Sequence, residues 1–249
     1  MPVAFTPDRR RLSAGLVAAT LGLLPVLAAA AGVTGSGTSA TEARAIGGFQ
    51  AIALRGSIDL EVRQGEATSV QVQTDDNLLP YLETAVEPGA SGPVLHVRWQ
   101  SGTSITTRSR TRVTVVMPAL SAIAGAGSGD IRVESFSTPS LKLSLAGSGD
   151  ALLAGLRTDA LSLSIAGNAD VKGSGRAAKL SITISGSGDV ELGELVAEEV
   201  SVRIAGSGDA EVHAQKSLDV SIAGSGDVVY RGDAALKSSV AGSGTIRRK

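Results

Sequence analysis

Cysteine is absent from this chain of 249 residues. Disulfide stapling, thiolate metal sites and lipid attachment through a cysteine are therefore excluded. Aromatic residues make up only 2% of the sequence. A core of ordinary thickness takes part of its volume from such rings; here Ala, Val, Leu and Ile must fill it, so a thin aliphatic core is expected. Histidine occurs twice. His96 lies in the alternating segment "VLHVRW" and His213 in a stretch of variable length. Neither has a motif around it, and both read as ordinary strand and loop residues. No G-x-S-x-G, HExxH or P-loop is present, so the common hydrolytic and nucleotide chemistries have no carrier. The net charge is −1, and without a basic excess nucleic acid is not an expected partner.

Long apolar runs are also scarce. One occurs, from Leu16 to Ala31, preceded by Arg9, Arg10 and Arg11 and ending in small residues that offer an A-x-A-like cleavage site. This is the layout of a secretory signal peptide, assigned to residues 1–31. The alternative, a retained membrane anchor, is disfavoured because Gly22 and Pro25 interrupt a run already short for a span. Removing the three arginines and Asp8 with the leader would leave −3. No transmembrane span is expected after signal removal. Residues 32–45, rich in Gly, Ser, Thr and Ala, read as a flexible linker. An exported location follows: periplasm, outer surface or extracellular space.

What the chain has in abundance is glycine, 31 residues, much of it in one recurring phrase. "AGAGSGD" ends at Asp130, "SLAGSGD" at Asp150, "SIAGNAD" at Asp170, "TISGSGD" at Asp189, "RIAGSGD" at Asp209, "SIAGSGD" at Asp227 and "SVAGSGT" at Thr245. The spacings are 20, 20, 19, 20, 18 and 18 residues. A period near twenty indicates a solenoid. Within each unit the pattern has period two. Leu180, Ile182, Ile184, Val190 and Leu192 share one parity; Ser181, Thr183, Ser185, Asp189 and Glu191 share the other. That alternation means strand. Leucine-rich repeats have a similar period, but the helix-like segment and inward Asn they need do not appear.

About twenty extended residues trace roughly 60 Å, enough to circle a small three-sided prism, with successive turns stacked at about 4.8 Å. The expected fold is all-β: a single-stranded parallel β-helix with coils of about 18–20 residues, spanning residues 46–246. Both glycines of each "GSGD" fall on the inward parity, where converging walls leave little room. Ala169 replaces the second, so that position does not demand positive φ. Ser and Asp face outward, within reach of corner amides. From each strand start to its Asp or Thr there are ten residues, as in Leu141–Asp150 and Leu236–Thr245. Length changes fall elsewhere, in stretches such as Leu153–Ala160 and Gly193–Glu199. Residues 126–246 form the regular coils. Residues 46–125 are less regular strands expected to cap the N-terminal end of the stack, since an open solenoid end exposes core and unpaired backbone.

The opening "GFQAIAL…GSIDLEV", the segment "DDNLLPYLET" and the stacked "AGSGD" units together resemble the head GIN domain family of bacterial exported proteins, over about residues 46–246. The resemblance implies a β-helical fold, a cell-envelope location and a role as an adhesin head. No translocator barrel follows Lys249, so self-transport is not expected.

Asp130, Asp150, Asp170, Asp189, Asp209 and Asp227 would align along one outer edge. Unit charges about 4.8 Å apart repel by roughly 1 kcal/mol in water, so something must offset them. Corner amides are the first reading; calcium bridging adjacent coils is the alternative, since it wants six to eight oxygens. Beyond this no cofactor is expected. A polysaccharide-acting enzyme is a weaker reading, because short corners and few rings make a poor sugar platform. The outer strand face offers rows of hydroxyls from Ser162, Ser164, Ser181, Thr183, Ser201 and Ser221, with Lys142, Arg203 and Asp219 among them. A glycan or a cell-surface protein is the partner class such a face suits. The expectation is a non-enzymatic exported interaction or structural module.

Overall fold

The computed structural model describes residues 32–249, together with Met1. The expected signal peptide, 1–31, otherwise lies outside the described residues. The N-terminal part contains β1 (Gly32–Thr34), β2 (Ser39–Arg44), β3 (Ala51–Arg55), β4 (Asp59–Gln64), β5 (Ser69–Asp75), a short 3-10 helix (Asp76–Tyr81), β6 (Leu82–Gly89), β7 (Gly92–Trp99), β8 (Ser104–Thr106) and β9 (Arg112–Met117). The regular part follows with β10 (Ala122–Gly127), β11 (Ile131–Glu134), β12 (Ser137–Gly147), β13 (Ala151–Gly167), β14 (Val171–Gly186), β15 (Val190–Gly206), β16 (Ala210–Gly224), β17 (Val228–Arg231), β18 (Ala235–Gly242) and β19 (Ile246–Arg248).

From β10 onward every pairing is parallel, coil upon coil, and the fold is a single-stranded parallel β-helix. Period-two patterning sets which side chains enter the tube. Leu161, Leu163 and Ile165 are buried, and Ser162 between them is exposed. Equivalent residues stack into columns, one of which runs Ile123, Leu143, Leu163, Ile182, Val202, Val220. Burying each such aliphatic side chain contributes about 1.5–3 kcal/mol. Several per coil outweigh the roughly 1 kcal/mol of repulsion between neighbouring ladder carboxylates. The register slips between Leu153 and Leu156, between Lys172 and Ser174, and between Leu192 and Val196. These slips, with a further one between Ala197 and Glu199, absorb the differences in coil length away from the Gly-Ser-Gly-Asp corner, which stays in step, as the sequence spacing predicts.

The glycine corner is fixed by contact between backbones. Gly186 has φ +144, a conformation side chains rarely adopt, and a Cβ there would lie 2.1 Å from the carbonyl oxygen of Gly167 in the coil below. The second glycine lies as close to the coil below, a Cβ on Gly188 falling 2.1 Å from the Ala169 carbonyl oxygen, but it has no positive φ, and there Ala169 stands in its place, buried.

The N-terminal part does cap the stack, but its layers are not in chain order. β3 and β4 form one coil whose upper neighbours are β10 and β11 and whose lower neighbours are β7 and β9, all parallel. The chain thus closes a coil, passes beneath it, and returns above it. Antiparallel strands finish the base: β6 on β7, β5 on β9, and β2 on β5. Residues 32–45 are a correction to the linker reading. β1 pairs in parallel with β8, and β2 is a full strand of the cap. Small polar composition suggested a flexible tether, yet long-range pairing orders the segment.

Both glycines abut the carbonyl of the coil below, but only the first has a positive φ, so Gly186→Ala should destabilise by about 3 kcal/mol or more, and Gly188→Ala by about 1–2 kcal/mol less. Urea unfolding midpoints of the two variants check this; equal losses would refute the distinction.

Candidate functional site

The aspartates do align. Each carboxylate accepts the backbone N–H of the aspartate one coil above. Asp150 donates to Asp130 Oδ1 at 3.2 Å, Asp170 to Asp150 at 3.0 Å, Asp189 to Asp170 at 2.9 Å, Asp209 to Asp189 at 2.8 Å and Asp227 to Asp209 at 2.7 Å. Asp59 is a further rung: its Oδ1 accepts the N–H of Asp130 at 3.1 Å. The sequence signal for it was present in Gly56-Ser57-Ile58-Asp59, with Ile58 in place of the second glycine. At the upper end Thr245 donates to Asp227 Oδ1 through both its N–H and its hydroxyl, each at 2.8 Å. These two bonds, helped by nearby Arg247, hold the Asp227 carboxyl below the usual carboxylate range. Among the described residues no group of three or more His, Cys, Asp or Glu is placed to hold a metal ion.

A second cluster, at Asp75-Asp76-Asn77, binds the base together. Asp75 is sealed from solvent. Burial pushes its carboxyl up, but the N–H groups of Arg108, Ser109 and Gly37 and the Ser109 hydroxyl outweigh it and bring the carboxyl below its ordinary value. Oδ1 accepts from Gly37 N at 2.8 Å and Ser109 Oγ at 3.0 Å; Oδ2 accepts from Arg108 N at 2.9 Å and Ser109 N at 3.1 Å. Asn77 extends the clamp, accepting from Ser36 N at 2.8 Å and donating to Thr34 O at 2.9 Å. One carboxylate and one amide therefore fasten residues 34–37 and 108–109, two loops remote in sequence, at the start of the 3-10 helix. Sequence reading noticed the Asp75–Leu78 segment without seeing this role.

The remaining candidates are dispersed. His96, half-buried on β7, lies 3.7 Å from Glu87 Oε2. His213 sits at a register slip on β16, opposite Val196. A shallow groove of about 290 Å³ lies over β4, β9 and β11, with Arg110, Arg112 and Arg132 facing Asp59, Glu61 and Glu134. Its charges largely pair off: Arg110 is 3.6 Å from Asp59, and Arg132 is 3.4 Å from Glu134. The hydroxyl rows stand where expected. Ser162, Ser181, Ser201 and Asp219 share one column, and Ser164, Thr183, Arg203 and Ser221 the next.

A capped parallel β-helix with an unbroken aspartate ladder defines the class of protein. The chain belongs to the family described as "Putative auto-transporter adhesin, head GIN domain", whose model matches residues 48–234. Solved structures agree on the fold. A "putative adhesin" from Bacteroides fragilis is 24% identical, with a TM-score of 0.80, over 87% of this chain and 100% of that one. A "putative lipid binding protein" from Parabacteroides distasonis is 26% identical, with a TM-score of 0.70, over 88% and 99%. A "putative adhesin" from Parabacteroides merdae is 24% identical, with a TM-score of 0.68, over 88% and 99%. No curated protein matches the sequence. Among the described residues no helix is long and apolar enough to cross a membrane.

The Asp75 clamp has a pH signature. Its folded pKa lies below the unfolded one, so its stabilisation is complete above about pH 4 and fades as pH falls through the folded value. Asp75→Asn puts an N–H₂ against backbone donors and should cost about 3 kcal/mol at pH 7. The gap between variant and parent should narrow below pH 4. Thermal midpoints measured from pH 7 to pH 2.5 check this; a gap independent of pH would refute the role of the charge.

Proposed function

We propose that the protein is an exported β-helix of the cell envelope that acts by presenting its outer faces, an adhesin-like or structural interaction module rather than an enzyme. The observation that carries this reading is the fate of the repeated aspartate. In each coil its carboxylate is engaged by the neighbouring coil's N–H, so the residue type that recurs most regularly serves the scaffold. Neither histidine faces a nucleophile-and-acid constellation. Membership of an adhesin-head family supports the same reading, as does the adhesin description of two similar structures. The class of ligand that a flat, hydroxyl-rich strand face suits is a glycan or a cell-surface protein.

One similar structure is described as lipid-binding. The tube of this chain offers a lipid little room: the cavity bounded by Leu54, Ile58, Gly125 and Leu145 holds about 10 Å³, on the order of a single water. We also assign the ladder to corner-capping in preference to calcium, because Oδ1 of each rung is already committed and calcium wants six to eight oxygens.

Two measurements test these assignments. Purified protein should bind saturably to a subset of arrayed glycans or to intact cells; absence of both, with turnover of any polysaccharide, would replace the module by an enzyme. Calorimetric titration with calcium should give no heat. Heat that Asp189→Ala abolishes would move the ladder from scaffold to metal site.

A further inference from the structure

We propose that the outer edge of β18, at the upper end of the solenoid, takes up an extended acidic strand of a partner protein as one further rung of the β-helix. This edge is separate from the wall faces discussed above, and neither proposal depends on the other.

The two ends of the stack are finished differently. Antiparallel strands β2, β5 and β6 close the base. At the upper end, among the described residues, β18 pairs with β16 alone, and all eight of its residues are exposed. Leu236 and Val240 continue the inward columns of Leu218 and Ile222, which are 1% exposed. They themselves are 42% and 43% exposed. Apart from Met1, no other large hydrophobic side chain among the described residues is exposed. A repeat stack ordinarily finishes in a polar cap, and this end keeps two apolar side chains uncovered.

The backbone of β18 is open in the same direction. In this wall Lys142 N–H donates down to Ser121 O, and Ser243 N–H down to Gly224 O. Lys237 stands in the column of Lys142, through Ser162, Ser181, Ser201 and Asp219. Alternate residues of a strand turn their backbone groups to opposite sides. Lys237, Ser239 and Ala241 therefore bond down to β16. Leu236, Ser238 and Val240 turn three N–H and three C=O groups to the free edge. That is the template on which an added strand is held. Its inward residues would cover Leu236 and Val240, and its outward residues would stand beside Lys237.

Charge selects the occupant. In residues 232–249 the cations Lys237, Arg247, Arg248 and Lys249 stand against Asp233, which already pairs with Arg248. The acids of the coil below are engaged or further off. Glu211 pairs with Arg231 at 2.6 Å and Lys249 at 3.3 Å. Asp227 accepts from the N–H and hydroxyl of Thr245. Asp219 lies one strand deeper than Lys237. A second copy of this end would bring these cations against their own kind. A strand with apolar residues inward and carboxylates outward meets both the uncovered column and the basic rim. One strand buries less than a standard interface, so a Kd of about 10–100 µM is expected.

Fluorescence anisotropy of a labelled heptapeptide alternating isoleucine with glutamate, titrated with the full chain, tests this. The peptide should bind, bind less well in high salt, and bind at least about tenfold better than its isoleucine–lysine counterpart. Amide exchange read by NMR should slow at Leu236, Ser238 and Val240 when the peptide is present. Ser238→Pro removes an N–H that β16 does not use and obstructs the edge, so binding should be lost. Lys237→Glu, an exposed change, should weaken binding by about tenfold. Circular dichroism confirms that each variant keeps its strand signal. No binding up to about 1 mM, equal binding of the lysine peptide, exchange unchanged at those three amides, or binding unmoved by both variants would overturn the proposal. So would a parent whose own dimerisation blocks the peptide.

Discussion

The structure depends on the contact between one coil's backbone and the next at the Gly-Ser-Gly-Asp corner. Along a flat wall, parallel strands satisfy each other's amides by the ordinary ladder. At a corner the direction of donation changes. Ser148 N–H points down to Gly127 O, and Ala151 N–H points up to Asp170 O. The N–H of Asp150, between them, is satisfied by a side chain instead, the carboxylate of Asp130. At this solvent-exposed corner the carboxylate gives that amide a charge-assisted partner inside the protein, so the aspartate suits the turn itself. Glycine is required by the same geometry, because the carbonyl beneath stands where a Cβ would be. Gly and Asp are two answers to one constraint: backbones meeting at a bend with no space for side chains.

This explains why like charges tolerate such proximity. A carboxylate that accepts a hydrogen bond from a backbone donor is stabilised as an anion, and every rung from Asp59 to Asp227 has such a donor. At the upper end Thr245 substitutes chemically well, since its hydroxyl adds a second donor to Asp227 where another carboxylate would add a repulsion.

The regular half was legible because its information is periodic. Alternation gave the inward column, constant ten-residue spans gave the aligned corner, and Ala169 showed which glycine was replaceable. The cap was legible only as irregular strands. Its determinants are pairings such as β2 with β5 and β5 with β9, antiparallel and set by contacts far apart in the chain. Nothing in local alternation says that β3 and β4 lie between two later layers. Residues 32–45 misled for a related reason. Gly, Ser and Thr describe a tether when read alone, but Ser36 and Gly37 are donors to Asn77 and Asp75. Asp75 itself gave no signal beyond belonging to a recognisable segment, because a buried carboxylate can be told from a surface one only once its donors are placed.

Such a scaffold separates inside from outside almost completely. The inward positions are held by packing and the corners by backbone contact, so both must repeat. Outward positions on the walls have no such duty, and there the coils diverge. One wall carries Glu61, Arg132, Lys172 and Glu191; another carries small hydroxyls and alanines with few charges. A repeat protein whose invariance is used up by its own folding must place recognition where the repeats differ. Lys142, Asp219 and Lys237, in a column otherwise carried by an alanine and serines, are departures of that kind. The physical content of an interaction role for this fold therefore lies in the outward columns of its walls and not in the motif that makes the sequence recognisable.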